Sequence, residues 1–341
     1  MKKVPCEGKI PCEDKLPKIA FISDLHGFNN VKEIISTIKK QGDISLIVLG
    51  GDFTDYTMPG TLKVVNAFMK LDIYTLLIPG SHENYEVYDE IIKKIKNKKL
   101  IDGYKHNYLK IGMYEIIVIS GSSSVVSGIP NYRGGSYWQI ERGRDKTKVQ
   151  KEANKKLKEK GIARKGTLVF MDDIYKTVEK NLSPLPGSKK IILSHNPPLC
   201  KTKNGIDLAE FGIITKTFSI KKEDLRKKEF KTITTDELFE KGSVLTMDEV
   251  KVLKKYKYPV KVMNKNVGSK DITTLMNKFK INKIICGHIH EAGPKAINKK
   301  ESEINPNQWL SDVRINSGEG SKGRFTILEL GPKGKIKYQF F

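Results

Sequence analysis

Three short apolar runs, at residues 18–23, 44–49 and 73–78, alternate with two segments whose apolar residues recur at helical spacing. Val31, Ile34, Ile35 and Ile38 mark the first of these segments, and Leu62, Val65, Phe68 and Met69 mark the second. This βαβαβ order predicts adjacent parallel strands joined by right-handed crossovers. Further strands are expected at 114–120, 190–194 and 283–286. Short runs at 313–315, 325–330 and 336–341, with glycines between them, read as a meander or hairpin. The expectation is an α/β chain.

Two stretches interrupt the alternation. Residues 122–165 are rich in Ser and Gly and then heavily charged, which predicts a surface loop followed by an exposed helix. Residues 200–268 form a long insert, in which Thr246 and Glu249 have capping-box spacing before a helix through Val250 and Leu253. Neither has the apolar content of a separate large domain. Residues 18–341 are therefore expected to form one domain with two inserts that border a common core. Residues 1–17 form a polar arm in which VPCEGK and IPCEDK nearly repeat, bringing Cys6 and Cys12 into equivalent places. Two copies are too few for a repeat fold.

With 341 residues, 38% of them hydrophobic, the chain has the apolar content of a packed core and is not disordered. No apolar run approaches the roughly 20 residues that span a bilayer, and no apolar stretch follows Met1-Lys2-Lys3 as in a secretory leader. Four cysteines are too few and too scattered for a disulfide scaffold. A cytoplasmic protein without a membrane partner is expected. The formal charge of +23 admits polyanion binding, and residues 141–165 alone hold 11 basic and four acidic residues. A lysine-rich solvated surface accounts for the same numbers. No ribonucleoprotein pattern or zinc finger decides between the two.

The histidines are more informative. Five of the six (His26, His82, His195, His288 and His290) lie one to four residues beyond an apolar run, in turns rich in Gly, Asp and Asn. Asp24-x-His26 follows the first run and Gly51-Asp52-x-x-Asp55 the second. Gly80-Ser81-His82-Glu83 follows the third, Ser194-His195-Asn196 ends the run at 190–194, and Gly287-His288-x-His290 follows 283–286. Ligand sites of open α/β sheets assemble at the carboxyl ends of strands. Mixed Asp and His donors suit Mn, Fe, Co, Ni or Zn, so these turns predict a metal centre. His106 fits none of the turns and reads as structural.

In order and spacing these turns resemble the calcineurin-like metallophosphoesterase family, over residues 18–120 and again 188–330, including VGSK from Val267 and Asn316-Ser317-Gly318. The resemblance implies two mixed β-sheets packed as a sandwich flanked by helices, with a dinuclear metal site at the strand C-terminal edge. It implies that Asp24, His26 and His290 hold the first of two divalent ions, manganese foremost. Asp52 would bridge both ions, and His195 and His288 would hold the second. His82 would stand near the leaving group, oriented by Asp55. Such a pair of ions, about 3.5–4 Å apart, would activate a bridging hydroxide for in-line attack on phosphorus.

One position departs from the pattern. Where the family has an Asn ligand to the second metal, this chain has Ser81, a shorter side chain and a weaker neutral ligand. Three outcomes are open: a weakened second site, a site completed by water or a substrate oxygen, or impaired catalysis. The resemblance thus implies a phosphomonoesterase or phosphodiesterase, with nucleic acid and nucleotides among the candidate substrates. The alternative is a metal-binding scaffold of the same fold. Arg133 and Arg142, with Arg144, are candidate phosphate contacts because guanidinium groups grip phosphate bidentately. Tyr132, Tyr137 and Trp138 either stack on a base or anchor their loop on the core. Cys200 and Cys286 are expected to be buried.

Overall fold

A computed structural model of the chain describes residues 9–10, 16–53, 57–83, 85–122, 137–159, 167–182, 189–220, 237–245 and 247–341. A six-stranded sheet comprises β2 (Lys18–Ile22), β3 (Ile44–Leu49), β4 (Tyr74–Leu77), β5 (Leu100–Asp102), β19 (Thr326–Leu330) and β20 (Ile336–Phe340). Its order is β20-β19-β2-β3-β4-β5. The four strands from β2 to β5 run parallel, and the β19–β20 hairpin closes the other edge antiparallel.

A seven-stranded sheet comprises β1 (Lys9–Ile10), β6 (Tyr108–Ile111), β7 (Tyr114–Ile119), β10 (Lys190–Ser194), β16 (Lys283–Cys286), β17 (Lys295–Ile297) and β18 (Val313–Asn316). Its order is β1-β6-β7-β10-β16-β18-β17, with β7, β10, β16 and β18 parallel. The run at 313–315 is therefore not part of the terminal meander. It joins the other sheet beside β16, which leaves only β19 and β20 as the expected hairpin.

The strand period of two explains why the runs are apolar without alternation. Along β2, Ile19 and Phe21 face the second sheet while Ala20 and Ile22 face helices; β3 divides the same way, Leu46 and Val48 against Ile47 and Leu49. The second sheet answers with Ile116, Val118, Ile191, Leu193 and Ile285 in the shared layer. Parallel strands covered on both faces need side chains that are apolar at every position. Crossover helices α1 (Val31–Gln41) and α2 (Met58–Met69) link β2, β3 and β4, and α3 (Tyr85–Lys94) leads to β5. On the other sheet, α5 (Met171–Asn181) leads to β10 and α7 (Lys270–Lys278) to β16, burying Ile174, Val178, Ile272 and Leu275. Ser269 caps α7, its hydroxyl accepting from the Ile272 N–H at 3.3 Å.

The inserts build small layers of their own. Strands β8 (Tyr137–Ile140) and β9 (Thr167–Phe170) pair in parallel and pack against α4 (Lys146–Glu159) through Trp138, Ile140, Val149, Ala153 and Leu168. Tyr137 and Trp138 are buried, and the Tyr137 ring meets Tyr88 and Tyr104 edge-on at 5.5 and 4.9 Å. Tyr137 anchors this segment on the core, while Trp138 packs within the small layer. The second insert holds β11 (Leu208–Ile214), β14 (Val244–Leu245) and β15 (Val260–Asn266) in one antiparallel sheet, with β12 (Phe218–Ile220) and β13 (Glu237–Phe239) as a separate pair. Helix α6 (Met247–Lys255) buries Val250 and Leu253 as expected, whereas Thr246 of its capping box lies outside the described residues, as do Cys6 and Cys12. Cys200 and Cys286 are buried. No described helix is long and apolar enough to cross a membrane.

Phe21 is fully buried between the sheets, and Gly50 makes room for it, since a Cβ on Gly50 would stand 2.3 Å from the ring tip. Removing that ring leaves a cavity no neighbour can fill. Phe21→Ala is expected to lower the unfolding free energy by about 3–5 kcal/mol in urea titrations, with the far-ultraviolet circular dichroism of the folded state unchanged.

Candidate metal centre

Every chemistry-bearing turn sits at the carboxyl end of a parallel strand. Asp24 and His26 follow β2, Asp52 follows β3, and Ser81 and His82 follow β4; His195 follows β10, and His288 and His290 follow β16. Backbone hydrogen bonds tie the turns together. The Asp24 N–H donates to the Gly51 carbonyl at 2.9 Å, the His26 N–H to the Asp52 carbonyl at 3.0 Å, and the Gly287 N–H to the His195 carbonyl at 3.1 Å. The turns are tight enough to force unusual backbone: Asp24, His26, Asp52 and His288 have φ of 56°, 45°, 52° and 71°. Left-handed non-glycine residues cost free energy and concentrate where a side chain must be aimed.

Two clusters result. In one, single donor atoms of Asp24, His26 and His290 all lie within 4.8 Å of one another; in the other, those of Asp52, His195 and His288 do so. His290 Nε2 is 3.2 Å from Asp24 Oδ1 and 3.3 Å from His26 Nε2, and His195 Nε2 is 3.3 Å from Asp52 Oδ2. His195 Nδ1 lies 2.9 Å from the Gly50 carbonyl. A carbonyl only accepts, so Nδ1 carries a proton and Nε2 is the atom turned toward the cluster. Three glycines keep the space clear. A Cβ on Gly51, Gly80 or Gly287 would stand 2.3 Å from His195 Nδ1, Asp52 Oδ1 or Asp24 Oδ2 respectively.

The charges are mutually compensating. Burial would raise Asp24, but the facing His290 outweighs it and holds the carboxyl at about 2; Asp52 is likewise held well below its ordinary value, His195 outweighing burial. Burial opposes a charge on His195 and His290, yet Asp52 and Asp24 lift them to about 9. His288, which lacks such a carboxylate partner, drops to about 3 through burial and the nearby His195. Its Nε2 is buried without a hydrogen-bond partner. An orphaned lone pair beside ionised carboxylates and imidazoles aimed at them fits a divalent cation.

Other expected residues are placed as follows. His82 stands beside the first cluster, its ring 4.7 Å from that of His26 and its N–H donating to Asp52 Oδ1 at 2.7 Å. The Ser81 hydroxyl donates to Asp52 Oδ2 at 2.8 Å. Asp55, Arg133 and Tyr132 lie outside the described residues. The Arg142 guanidinium lies 3.9 Å above the Tyr175 ring with Nε 3.5 Å from the Asp172 carboxylate; Arg144 and His106 are exposed.

Two carboxylates not anticipated from the sequence also belong here. Buried Glu83 accepts the N–H groups of Asp52 at 2.9 Å, Phe53 at 2.8 Å and Gly80 at 2.6 Å, joining the second and third turns. Glu319, after β18, lies 3.9 Å from His290 Nδ1. Glu83 is adjacent to His82 in sequence, a usable signal; Glu319 has no local one. The second insert borders the site as well, since Ala209 and Phe211 of β11 pack with Ile289 and Ala292 around His290.

The model of one protein family, the calcineurin-like phosphoesterases, matches residues 17–292. The chain belongs to that family. It is accordingly a metal-dependent hydrolase of phosphoester bonds, and the two clusters are candidate ligand sets for the dinuclear divalent site that the family implies. Among solved structures, TT1561 of Thermus thermophilus is similar over 95% of this chain and 98% of its own, with a TM-score of 0.50 and 10% identity, which shows the fold alone. A dimetal phosphatase from Danio rerio is 8% identical over 96% of this chain and 99% of its own, with a TM-score of 0.45. No curated sequence matches the phosphoesterase.

The clearance at Gly287 makes a direct test. Gly287→Ala places a methyl group against Asp24 Oδ2 and Ser23 Oγ, 2.3 and 2.1 Å from the new carbon. Metal bound per chain, measured by elemental analysis after dialysis, is expected to fall clearly below that of the native protein.

Proposed function

We propose that this phosphoesterase binds two divalent ions, manganese foremost, with Asp24, His26 and His290 holding the first, His195 and His288 the second, and Asp52 shared between them. The observation that carries this reading is the pair of three-residue clusters at one sheet edge, each drawing on both sheets. Oxygen and imidazole donors of this kind suit manganese and its first-row neighbours. When bound, the ions supply Lewis-acid polarisation of the phosphoryl oxygens and lower the pKa of a coordinated water.

The chain's own groups do the rest. The two aspartates offset the ionic charge, the Gly50 carbonyl orients the His195 imidazole, and Glu319 places a second negative charge 3.9 Å from His290 Nδ1. His82 is half-buried, held by its N–H on Asp52, and so presents its ring toward the open side of the first cluster. There it donates a proton to the departing alkoxide or holds a phosphoryl oxygen, with Asp55 as its orienting partner. Residues 18–341 are read as one domain, with 1–17 as an arm and the two inserts at its rim; Arg133 and Arg142 remain proposed phosphate contacts.

An extended anionic substrate such as nucleic acid has a specific support. A cavity of about 570 Å³ between α1 and α2 starts beside the His26 turn at Phe28 and Asn29 and is lined by Lys32, Lys63 and Lys70. Helices α1 and α2 begin at the same sheet edge as the metal clusters, so this groove leads away from the site. No acidic residue lines it.

Native protein loaded with Mn²⁺ is expected to contain about two ions per chain and to hydrolyse bis-p-nitrophenyl phosphate or p-nitrophenyl phosphate, with activity lost in chelator. The preferred ester distinguishes diesterase from monoesterase. His82→Ala is expected to reduce kcat by about 10²–10⁴-fold while leaving metal content unchanged. Turnover at the native rate in that variant removes His82 from the mechanism.

A further inference from the structure

Each cluster offers one carboxylate and two imidazoles. On the reading above, in which Asp52 is shared, a cation at the first would also have Asp24 to itself, whereas one at the second would have Asp52 alone. The oxygen that Asp52 turns toward this cluster is Oδ2, 3.3 Å from His195 Nε2, and the Ser81 hydroxyl donates its hydrogen to that same oxygen at 2.8 Å. Ser81 thus brings a proton to the second site where a side-chain amide would bring a lone pair. Asp52 Oδ1 is also engaged, by the His82 N–H. The oxygens of buried Glu83 are taken by three backbone N–H groups.

We propose that the site of Asp52, His195 and His288 binds its ion more weakly than the other and fills together with substrate, because Ser81 bonds to Asp52 and leaves a coordination position for a substrate oxygen. The proposal rests on the metal-centre reading above. His195 is fully buried and Asp52 nearly so, whereas Ser81 and His288 are half-buried, so a phosphoryl oxygen can reach the position beside Ser81. Linkage then requires reciprocity: phosphate strengthens binding of the second ion by the factor by which that ion strengthens binding of phosphate. Turnover becomes a function of free divalent metal in the range where only the first site is full.

Calorimetric titration of chelator-stripped protein with Co²⁺, followed in parallel by visible absorption and repeated with inorganic phosphate, tests this. Expected are two classes of site, the second at least about tenfold weaker, with phosphate tightening the second and leaving the first unchanged. Ser81→Asn is expected to tighten the second site about tenfold and to diminish the effect of phosphate. Two ions of equal affinity in the native chain overturn the proposal, as does Ser81→Asn with an unchanged second site. If that variant does not fold, the native isotherms with and without phosphate decide alone. Absence of any Co²⁺ binding defeats the metal-centre reading itself, an outcome distinct from two equal sites.

Discussion

The packing of the two sheets against each other is the constraint on which the rest depends. Each metal cluster takes aspartate from the six-stranded sheet and histidine from the seven-stranded one: Asp24 and His26 meet His290, and Asp52 meets His195 and His288. The distance between these partners is set by the shared layer of Ile19, Phe21, Leu46 and Val48 against Ile116, Val118, Ile191 and Leu193. Close-packed interiors tolerate little displacement, so an apolar layer without polar groups fixes the geometry of a highly polar site.

Strain and electrostatics then act at short range. Four ligand-bearing residues accept left-handed backbone, and the cross-turn hydrogen bonds through Gly51, Asp52 and His195 hold them there. Buried Asp24 and Asp52 are tolerated because each faces an imidazole from the other sheet. A divalent ion bound there would take the place of the protons that these pairs share, so metal binding and local folding would draw on the same interactions. The second insert contributes from outside. Its base is pinned by buried Asp207, which accepts the N–H groups of Cys200 and Gly268, each at 3.0 Å, and its strand β11 packs on the turn carrying His290.

Much of this was legible in the chain. Runs 44–49, 190–194 and 283–286 coincide with β3, β10 and β16, because strands buried on both faces leave an uninterrupted apolar signal. The weaker elements were not legible. Helix α3 shows only Tyr88 and Ile91 buried along ten residues, too sparse a stripe to read. The strand at 313–316 had the same local signature as the terminal hairpin, and only its pairing with β16 assigns it to the other sheet. Tyr137 admitted two readings until its burial against Tyr88 and Tyr104 made it an anchor.

The division follows from range. By itself the sequence determined where the candidate residues stand, since His26, Asp52, His195 and the others each lie at the end of a strand that local patterning defines. The grouping of Asp24 and His26 with His290 was implied by resemblance alone until the tertiary structure brought them together, because His26 and His290 are 264 positions apart and meet through sheet packing. The same holds for Glu83. Its identity was plain, but its role as acceptor for three backbone N–H groups requires the turns after β3 and β4 to lie side by side. Ser81 shows the boundary most clearly: the sequence marks it as unusual, and the fold decides that its hydroxyl spends its proton on Asp52.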